Sequence, residues 1–575
     1  MIRKFIPYLR KYRVMAILSP IFIFIEVICG ILLPYYMSII VDVGLATGQP
    51  SVIWRSGAIM VGLSVIGMLT GSASAYFAAH SGQGLAAELR AHAFAKIQDF
   101  SFKNLDEFPT STLITRLTSD SLMIGRLTQM SLRVAVRAPT MFISALYMAI
   151  LINSSMAVVF VAAIPLILII STVIMKMAGP RFAVLRTRID ELNLATQENL
   201  GAVREVKAFV REEQQTNRFQ QAVDNYMGSA LHAIKLVIKA GPMFMLVMNT
   251  VIVLILWIGG GMVLDGTFEI GKLASFLMYV GQIMMSMMMI VMVFLQFVNA
   301  RSGAKRVLEI IEHDIDLVSP ENGATEILDN TVEFDQVDFA YPGMKDDILS
   351  GLSFKVEGGK TLGILGATGS AKTTLVQLIP RLYDVASGRV LIGGKDVREY
   401  DLDALRSNVA MILQQNTLFT GTIRSNLYWG NAEATDEELW RALEIADAKD
   451  FVQAMSDGLD SIVEQGGRNF SGGQRQRLTI ARALLTNPKI LIFDDSLSAV
   501  DMDTERRIQS RLSQSLPDIT TFVIAQRINS VENADQILVM DQGRIENKGT
   551  HEELMESSVI YREIYESQKK GALSQ

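Results

Sequence analysis

Long apolar runs dominate the first half of the chain, whereas short apolar runs alternate with polar residues in the second half. A bilayer core of about 30 Å needs about 20 mainly apolar residues in a helix. Six stretches meet this requirement, at residues 15–41, 53–79, 134–153, 156–176, 242–264 and 273–298. The first lacks the small-residue cleavage pattern of a signal peptide and resembles the other five. The pattern therefore predicts six membrane-spanning helices.

The connections between these spans alternate in length. Spans one and two, three and four, and five and six are joined by few residues, whereas residues 80–133 and 177–241 form long connections with many Lys and Arg. Positive charge near span ends marks the cytoplasmic side of a membrane. We therefore expect the N-terminus, both long connections and the C-terminal half in the cytoplasm. Residues 1–13 mix apolar and basic residues, which predicts a short helix on the membrane surface.

Two features inside the spans allow more than one interpretation. Glu26 lies near the middle of span one, where a carboxylate needs a wet cavity or a partner. We expect one of two roles: contact with a cationic substrate or a coupled proton, or a structural role, either as a hydrogen bond to another helix or as a protonated, packed acid. Span six is rich in methionine, including Met284 and Met288. These side chains line an adaptable substrate cavity, or they serve plain packing and lipid contact.

Composition supports the division into two halves. The 575 residues are 50% hydrophobic and only 19% charged, against roughly 25% charged residues in soluble proteins. This deficit of charged residues, with a mean hydropathy of +0.29, excludes an ordinary soluble enzyme and a disordered chain. The net charge of -6 gives no reason to expect a nucleic-acid partner. The single cysteine, Cys29, excludes an internal disulfide framework. We expect a transmembrane domain at residues 1–305, a linker at 306–327 and a soluble α/β domain at 328–575.

The second half of the chain contains the sequence pattern of a phosphate-binding loop. Residues 361–374 read TLGILGATGSAKTT, an apolar strand that runs into a glycine-bearing loop and then into a helical pattern. Strand, loop and helix in this order predict a P-loop, whose backbone N–H groups cradle phosphates. Lys372 would reach the β- and γ-phosphates, and the Thr373 hydroxyl would hold Mg²⁺. The predicted ATP-binding residues are Gly366, Ala367, Thr368, Gly369, Ser370, Ala371, Lys372, Thr373 and Thr374.

Ala371 departs from the P-loop pattern, which has glycine before the lysine. If the backbone there needs a positive φ, alanine adds strain of about 1 kcal/mol, and we expect ATP binding to survive.

A second apolar strand, ILIFDD, ends in Asp494 and Asp495. Asp494 is the predicted Walker B ligand of the Mg²⁺ shell, and Asp495 occupies the position of a general base.

Between these two strands lies the segment NFSGGQRQRLTIARALL, in which Ser471, Gly472, Gly473 and Gln474 open a helix. A P-loop, an SGGQ signature and a Walker B strand in this order, behind six spans, resemble an ABC exporter half-transporter over essentially the whole chain. The resemblance implies an α-helical membrane domain of six transmembrane helices fused to an α/β P-loop nucleotide-binding domain. It also implies that two ATP molecules lie between two such domains, each held by the P-loop of one and the SGGQ helix of the other.

The resemblance implies further roles for individual residues. Tyr341 matches the aromatic residue that stacks on adenine, Gln414 matches the Q-loop glutamine that touches Mg²⁺, and Asp501 matches the D-loop acid. Short helices near residues 111–124 and 199–209 resemble the coupling helices that press on the nucleotide-binding domains.

Two positions depart from the family pattern. The catalytic base of the family is a glutamate, and here Asp495 retracts the carboxylate by about 1 Å, a displacement that can cost about a hundredfold in rate. The switch histidine of the family is replaced by Gln526, which cannot become a cation. The SGGQ signature is complete. Both losses therefore affect the site built on this chain's own P-loop, whereas a site built on a partner's P-loop would receive an intact signature from this chain.

This asymmetry predicts one subunit of a heterodimeric ABC exporter. The chain would hold the degenerate ATP site and would contribute its signature and Asp501 to a hydrolytic site. A second homologous half-transporter would supply the Glu base and the His switch. The expected activity is ATP-driven export of hydrophobic or amphipathic, drug-like compounds across a bacterial inner membrane. The alternatives are a homodimeric lipid flippase with slow turnover and an ATP-gated regulator or channel.

Overall fold

The computed structural model describes residues 2–344 and 346–573. It divides into two compact units. The first contains Met1–Ile97 and Ser111–His313, and the second contains Gln98–Thr110 and Asp314–Gln575. The boundary expected after residue 305 falls inside a helix that continues to Ile311, because Val307 and Ile310 on that helix are fully buried.

The amino-terminal half is entirely helical apart from its turns. Its segments in chain order are α1 (Ile2–Phe5), a 3₁₀-helix (Pro7–Tyr12), α2 (Arg13–Ile39), a π-helix (Ile40–Leu45), α3 (Pro50–Gln98), α4 (Phe102–Glu107), α5 (Thr110–Thr115), a π-helix (Arg116–Asp120), α6 (Ser121–Ile152), α7 (Ser154–Gly201), α8 (Val203–Ala208), α9 (Glu212–Ile238), α10 (Ala240–Leu264) and α11 (Ile270–Ile311).

Six helical stretches among the described residues are long and apolar enough to cross a membrane. They are Pro7–Leu45, Pro50–Gln98, Thr110–Ile152, Ser154–Gly201, Glu212–Leu264 and Ile270–Phe294. Most of them extend well beyond the apolar runs, since the charged connections continue the same helices. Small residues allow close contact between helices. A Cβ added at Gly82 of α3 would lie 2.5 Å from the Gly125 carbonyl oxygen of α6, so these two backbones touch.

The short helices differ in part from the expectation. Residues 111–124 form no separate short helix, because α5, the π-helix and α6 follow one another without a break. The separate short helix lies just before them, at α4, whose N-cap Ser101 forms a reciprocal capping box with Asn104. The second expected short helix is present as α8.

The second unit adds an α/β domain. Its strands are β1 (Val332–Phe339), β2 (Leu349–Val356), β3 (Thr361–Gly366), β4 (Ser387–Ile392), β5 (Lys395–Asp396), β6 (Val409–Ile412), β7 (Gly421–Thr422), β8 (Ile462–Val463), β9 (Ile490–Asp494), β10 (Thr520–Ala525), β11 (Gln536–Asp541) and β12 (Arg544–Gly549). Its helices are α12 (Lys372–Gln377), α13 (Leu402–Asn408), α14 (Ile423–Leu427), α15 (Asp436–Ile445), α16 (Lys449–Gln453), α17 (Gly472–Leu484), α18 (Met502–Ser515), α19 (His551–Ser557) and α20 (Val559–Leu573).

The main sheet has six strands in the order β12-β11-β3-β10-β9-β6. All neighbours are parallel except β11 and β12. Every residue of β9 and β10, and every residue of β3 except Thr361, is buried. Such strands, covered on both faces, read as continuous apolar runs rather than alternating patterns. A four-stranded sheet, β2-β1-β4-β5, and the β7-β8 pair complete the strands.

The order of the parallel strands positions the candidate site. The neighbours β3, β10, β9 and β6 all end at the same edge of the sheet, and ligands of such sheets bind outside the carboxyl ends of the strands. The P-loop follows β3, Gln526 follows β10, and Gln414 follows β6. Asp494 is the last residue of β9 and Asp495 directly follows it.

Candidate nucleotide-binding site

The P-loop begins where β3 ends and closes at the start of α12. Gly369 and Ala371 both have a left-handed backbone, with φ of +87° and +67°. The condition for strain at Ala371 is therefore met, since an L residue with a side chain pays about 1 kcal/mol in this region. Ala367, Thr368 and Gly369 are exposed, so the loop presents its backbone outward.

The Lys372 side chain lies against its own loop. Its Nζ donates hydrogen bonds to the carbonyl oxygens of Gly366 at 2.8 Å and Ala367 at 2.7 Å, and it lies 3.2 Å from Ser370 Oγ. Burial lowers the pKa of the Lys372 ammonium, and the nearby carboxylates of Asp494 and Asp495 oppose this shift. The hydrogen-bond partners of this ammonium are neutral oxygens, so an anion that replaced them would make stronger, charge-assisted bonds.

A carboxylate and a hydroxyl form the candidate Mg²⁺ site. The Thr373 hydroxyl donates a hydrogen bond of 2.7 Å to Asp494 Oδ1. Asp494 is 2% exposed, and burial raises the pKa of its carboxyl group, which the Thr373 hydrogen bond partly offsets. Oxygen ligands of this kind are those that Mg²⁺ prefers, so the donor set fits the ion.

The carboxylate of Asp495 is shared by two amides. Gln526 Nε2 donates to Asp495 Oδ2 at 3.0 Å, and Gln414 Nε2 donates to the same oxygen at 3.3 Å. Asp495 also has a positive φ of +48°, which a short polar side chain tolerates better than most residues. Thus the two positions that depart from the family pattern lie in direct contact.

A residue of the last helix holds the segment around Gln526, which sequence reasoning missed. Gln568 on α20 donates through Nε2 to the Gln526 carbonyl oxygen at 2.8 Å, and its Oε1 accepts from the Ile528 amide at 3.0 Å. One glutamine therefore fixes both sides of a short loop. Its distance along the chain from every motif left no sequence signal.

Tyr341 lies beside the first helix after the P-loop. Its hydroxyl lies 3.0 Å from Thr374 Oγ1, and its ring meets the Tyr383 ring edge-on at 5.3 Å between centroids. Tyr383 was not predicted from the sequence. Its hydroxyl donates a 2.7 Å hydrogen bond to Asp106 of α4, and burial raises the pKa of this phenol.

The SGGQ segment forms the beginning of α17. Ser471 is the N-cap and accepts from the Gln474 amide, while Gln474 Oε1 accepts from the Ser471 amide at 2.9 Å. Ser471 and Gly472 are exposed, and a Cβ at Gly473 would lie 3.2 Å from the Ala499 carbonyl oxygen. An exposed helix N-terminus with small residues can approach a phosphate closely. Asp501 similarly caps α18 by accepting from the Thr504 amide at 2.9 Å.

The three candidates for a substrate cavity lie on α2 and α11 of the helical unit. Glu26 forms an ion pair with Arg137 of α6, with 3.0 Å between Oε1 and Nη1. Met284 is 5% exposed and lies in the hydrophobic core of this unit, whereas Met288 is 54% exposed. Met284 and Met288 are four residues apart and lie on the same side of α11, so their unequal burial reflects what packs beside each of them.

Two family models match the chain. The model described as the ABC transporter transmembrane region covers residues 16–287, and the model described as ABC transporter covers residues 349–498. The chain is 34% identical to the ABC transporter ATP-binding protein YfiB of Bacillus subtilis, over 98% of both chains. It is 32% identical to the ATP-dependent lipid A-core flippase of Desulfotalea psychrophila, over 85% of both chains.

A solved structure of a bacterial Atm1-family ABC exporter with ATP bound has the same fold. It aligns with a TM-score of 0.81 and 24% sequence identity over 97% of this chain and 98% of that one. These matches confirm the predicted fold class, six apolar helices followed by a P-loop nucleotide-binding domain.

Proposed function

Because the chain belongs to the ABC transporter family as a half-transporter of exporter type, we propose that it is one subunit of a heterodimeric ABC exporter. In this proposal the site on its own P-loop binds ATP and hydrolyses it slowly. The SGGQ helix of this chain completes a second, hydrolytic site on the partner chain. The observation that carries the proposal is the contact between Asp495 and Gln526, beside a complete signature.

The geometry around Asp495 supports slow hydrolysis. A general base must reach the water molecule that attacks the γ-phosphate. Here Oδ2 of the shortened carboxylate already accepts two amide hydrogen bonds, from Gln414 and Gln526. Hydrogen bonds to a charged acceptor are worth about 1.5–3 kcal/mol each, and they must be broken or rearranged before that oxygen can accept a proton from water.

The same site is well equipped to hold the nucleotide. The exposed backbone of the P-loop and the Lys372 ammonium would bind the phosphates, and the Tyr341 ring would stack on the base. Thr373, Asp494 and Gln414 would hold Mg²⁺, which neutralises charge on the phosphate oxygens when bound. Binding without efficient hydrolysis would keep the two ATP-binding domains close between transport cycles.

Exposed apolar residues support a second chain. Phe209 and Val210 directly follow α8 and are 75% and 81% exposed. Two adjacent apolar side chains that are exposed at the end of a short helix can form part of a contact with a partner. We propose that α8 presses on the ATP-binding domain of the partner chain, and that closure of the two domains there favours an outward-facing membrane domain. The assembly would lie in a bacterial inner membrane with the ATP-binding domains in the cytoplasm.

Transport by the purified chain tests the proposal. The full chain in lipid nanodiscs, without a partner, is expected to bind ATP but to release phosphate slowly. Co-expression with a homologous half-transporter that carries the Glu base and the His switch is expected to give ATP-driven export of amphipathic compounds. Fast ATP turnover by the chain alone would contradict the heterodimer.

A homodimeric lipid flippase is the second candidate function. The similarity to a relative named ATP-dependent lipid A-core flippase favours it. ATP-driven translocation of a labelled lipid in vesicles that contain this chain alone would support the flippase over the heterodimer.

A further inference from the structure

A partly buried ion pair joins two helices of the helical unit, with the Glu26 side chain 17% exposed and the Arg137 side chain 36% exposed. Glu26 on α2 and Arg137 on α6 approach to 3.0 Å. Glu26 is the thirteenth residue after the start of α2 at Arg13, which places it about 20 Å along the helix axis. The pair therefore lies far from the end of a membrane-spanning helix, where charged groups are rare and serve a ligand or a partner.

The pair borders a cavity of about 470 Å³ that is lined by residues of α2, α3, α6 and α11. Leu63, Met68 and Met141 contribute apolar walls, and Gln282 adds a polar group beside the ion pair. Cavities of a few hundred Å³ with an apolar wall and a few polar groups are typical ligand sites. A polar end and an apolar wall fit an amphiphile better than a simple ion.

Three buried polar atoms at this end of the cavity have no hydrogen-bond partner within the described chain. They are Glu26 Oε2, Arg137 Nε and Gln282 Oε1. Two of them are acceptors and one is a donor. Native proteins pair most buried polar atoms, so each exception needs an explanation. The ion pair thus has unused capacity for a ligand that brings both donors and an acceptor.

Pro34 helps to place Gln282 at this point. Proline has no N–H to satisfy the carbonyl oxygen four residues earlier in its helix, which belongs to Gly30. Gln282 Nε2 lies 3.5 Å from that oxygen. The amide group of Gln282 is therefore drawn toward α2 and lies beside Glu26 in the cavity wall.

The pairing determines which charge a ligand can carry. A simple cation at Glu26 would give the neutral pair a net positive charge, and a simple anion at Arg137 would give it a net negative charge. An uncompensated buried charge costs more than the pair itself. A ligand with one ammonium and one anionic group can replace both partners at once and keep the site neutral.

We propose that this cavity binds the zwitterionic head of an amphiphile. The ammonium group of the head contacts Glu26 and Gln282, its phosphate or carboxylate group contacts Arg137, and its apolar chain lies along the methionine and leucine wall. This inference rests on the proposed export function and names the substrate class of that function. It also makes the cationic group expected at Glu26 the ammonium group of a zwitterion rather than a simple cation.

Binding of chain-matched amphiphiles tests the inference. The full chain is placed in nanodiscs of phosphatidylglycerol, which carry no zwitterionic lipid. Binding of dodecylphosphoethanolamine, dodecylamine and dodecyl phosphate is then compared by calorimetry. The zwitterion is expected to bind about tenfold more tightly than either amphiphile whose head carries charge of one sign only, since only the zwitterion leaves no charge uncompensated.

Variants of the pair are expected to change the order of preference. Glu26→Gln favours dodecyl phosphate and Arg137→Gln favours dodecylamine, each by about tenfold over the zwitterion. The exchange of both charges, Glu26→Arg with Arg137→Glu, keeps the preference for the zwitterion and shows that the single variants do not act through misfolding. Glu191→Gln removes one partner of the exposed Arg188–Glu191 pair and serves as the matched control.

The outcomes separate this inference from the proposed function. Equal binding of dodecylamine and the zwitterion, or an unchanged order in both single variants, overturns the zwitterion site. Zwitterion binding with the expected variant effects but without ATP-driven transport overturns the export function and leaves the site intact. If the chain transports amphiphiles without any preference for the charge of their heads, the export function stands and the zwitterion site is overturned.

Discussion

The contact between Asp495 and Gln526 gives the sharpest prediction about turnover. Asp495→Glu and Gln526→His together are expected to turn the slow ATP site of this chain into a fast one. A dimer of the chain alone already contains two complete SGGQ segments, so the double variant would have two sites with a glutamate base and a histidine switch. The partner chain is not needed for this experiment.

The size of the effect follows from two features of the site. A displacement of about 1 Å at a reacting group can cost about a hundredfold in rate, and the added methylene of glutamate restores that reach. In the present site Gln526 Nε2 holds the carboxylate at 3.0 Å, and such a hydrogen bond is worth about 1.5–3 kcal/mol. Asp495→Glu alone therefore gains less than the double variant, and the two changes are coupled by about 1–2 kcal/mol.

Steady-state phosphate release in nanodiscs at saturating Mg²⁺ and ATP measures this prediction. The double variant is expected to exceed the wild type by about a hundredfold, and the sum of the single-variant effects is expected to fall short of it. Asp495→Asn is the control, since it keeps the shape of the side chain and removes the base. If the wild type and the double variant turn over at the same rate, the account of the degenerate site is refuted.

Four further predictions concern other contacts of the second unit. Gln568→Leu removes two hydrogen bonds to the loop around Gln526, so amide exchange at residues 526–528 should rise by about tenfold. Tyr383→Phe removes the hydrogen bond to the exposed Asp106 carboxylate, so exchange in α4 should rise by about fivefold, equivalent to about 1 kcal/mol. Ala371→Gly relieves the left-handed strain and should slow exchange in the P-loop by up to about fivefold. Because burial raises the pKa of Asp494, protons should compete with Mg²⁺ there, and the stabilisation by Mg²⁺ and ATP in thermal melts should weaken as pH falls through that raised pKa.

The sign of the Asp494 effect without nucleotide is opposite. A raised pKa in the folded state means that stability from this carboxyl group is fully present below its ordinary pKa and is lost as pH rises through the raised value. Asp494→Asn should remove both pH effects.

For the exchange measurements, Ala404→Gly in the right-handed helix α13 is the control for Ala371 and should speed local exchange. Unchanged exchange in Gln568→Leu or Tyr383→Phe would show that these hydrogen bonds do not stabilise their segments.

The central architecture could be predicted because its signals are local. Apolar runs of sufficient length predict the six helices, and the continuous apolar segments that form β3 and β9 predict a sheet that is buried on both faces. Parallel strands end at one edge, so the nearness of Thr373 to Asp494 follows once both strands are recognised. The end of α11, which takes up residues 306–311 of the expected linker, could not be read as easily, since apolar residues such as Val307 are interspersed there with charged ones.

The contacts that decide chemistry were less visible. Arg137 lies 111 residues from Glu26 along the chain, and a single sequence does not reveal that the two helices meet. Gln568 is separated from the switch segment by the strands β11 and β12 and the helix α19, and a glutamine in a polar helix carries no motif. The shared hydrogen bonding of Asp495 likewise depends on side-chain direction, which strand order alone does not determine.

The position of α4 has a consequence for how such chains recombine. Residues Gln98–Thr110, which include α4, belong to the same compact unit as the C-terminal α/β domain. Within this unit, Asp106 accepts a hydrogen bond from the Tyr383 hydroxyl. Ser101 Oγ similarly donates to Asp316 Oδ1 at 2.6 Å. A gene exchange with a single crossover after α11 would bring in a new domain while keeping the old α4. Viable hybrids between relatives should therefore need two crossovers, or compatible residues at positions 106 and 383 in both parents.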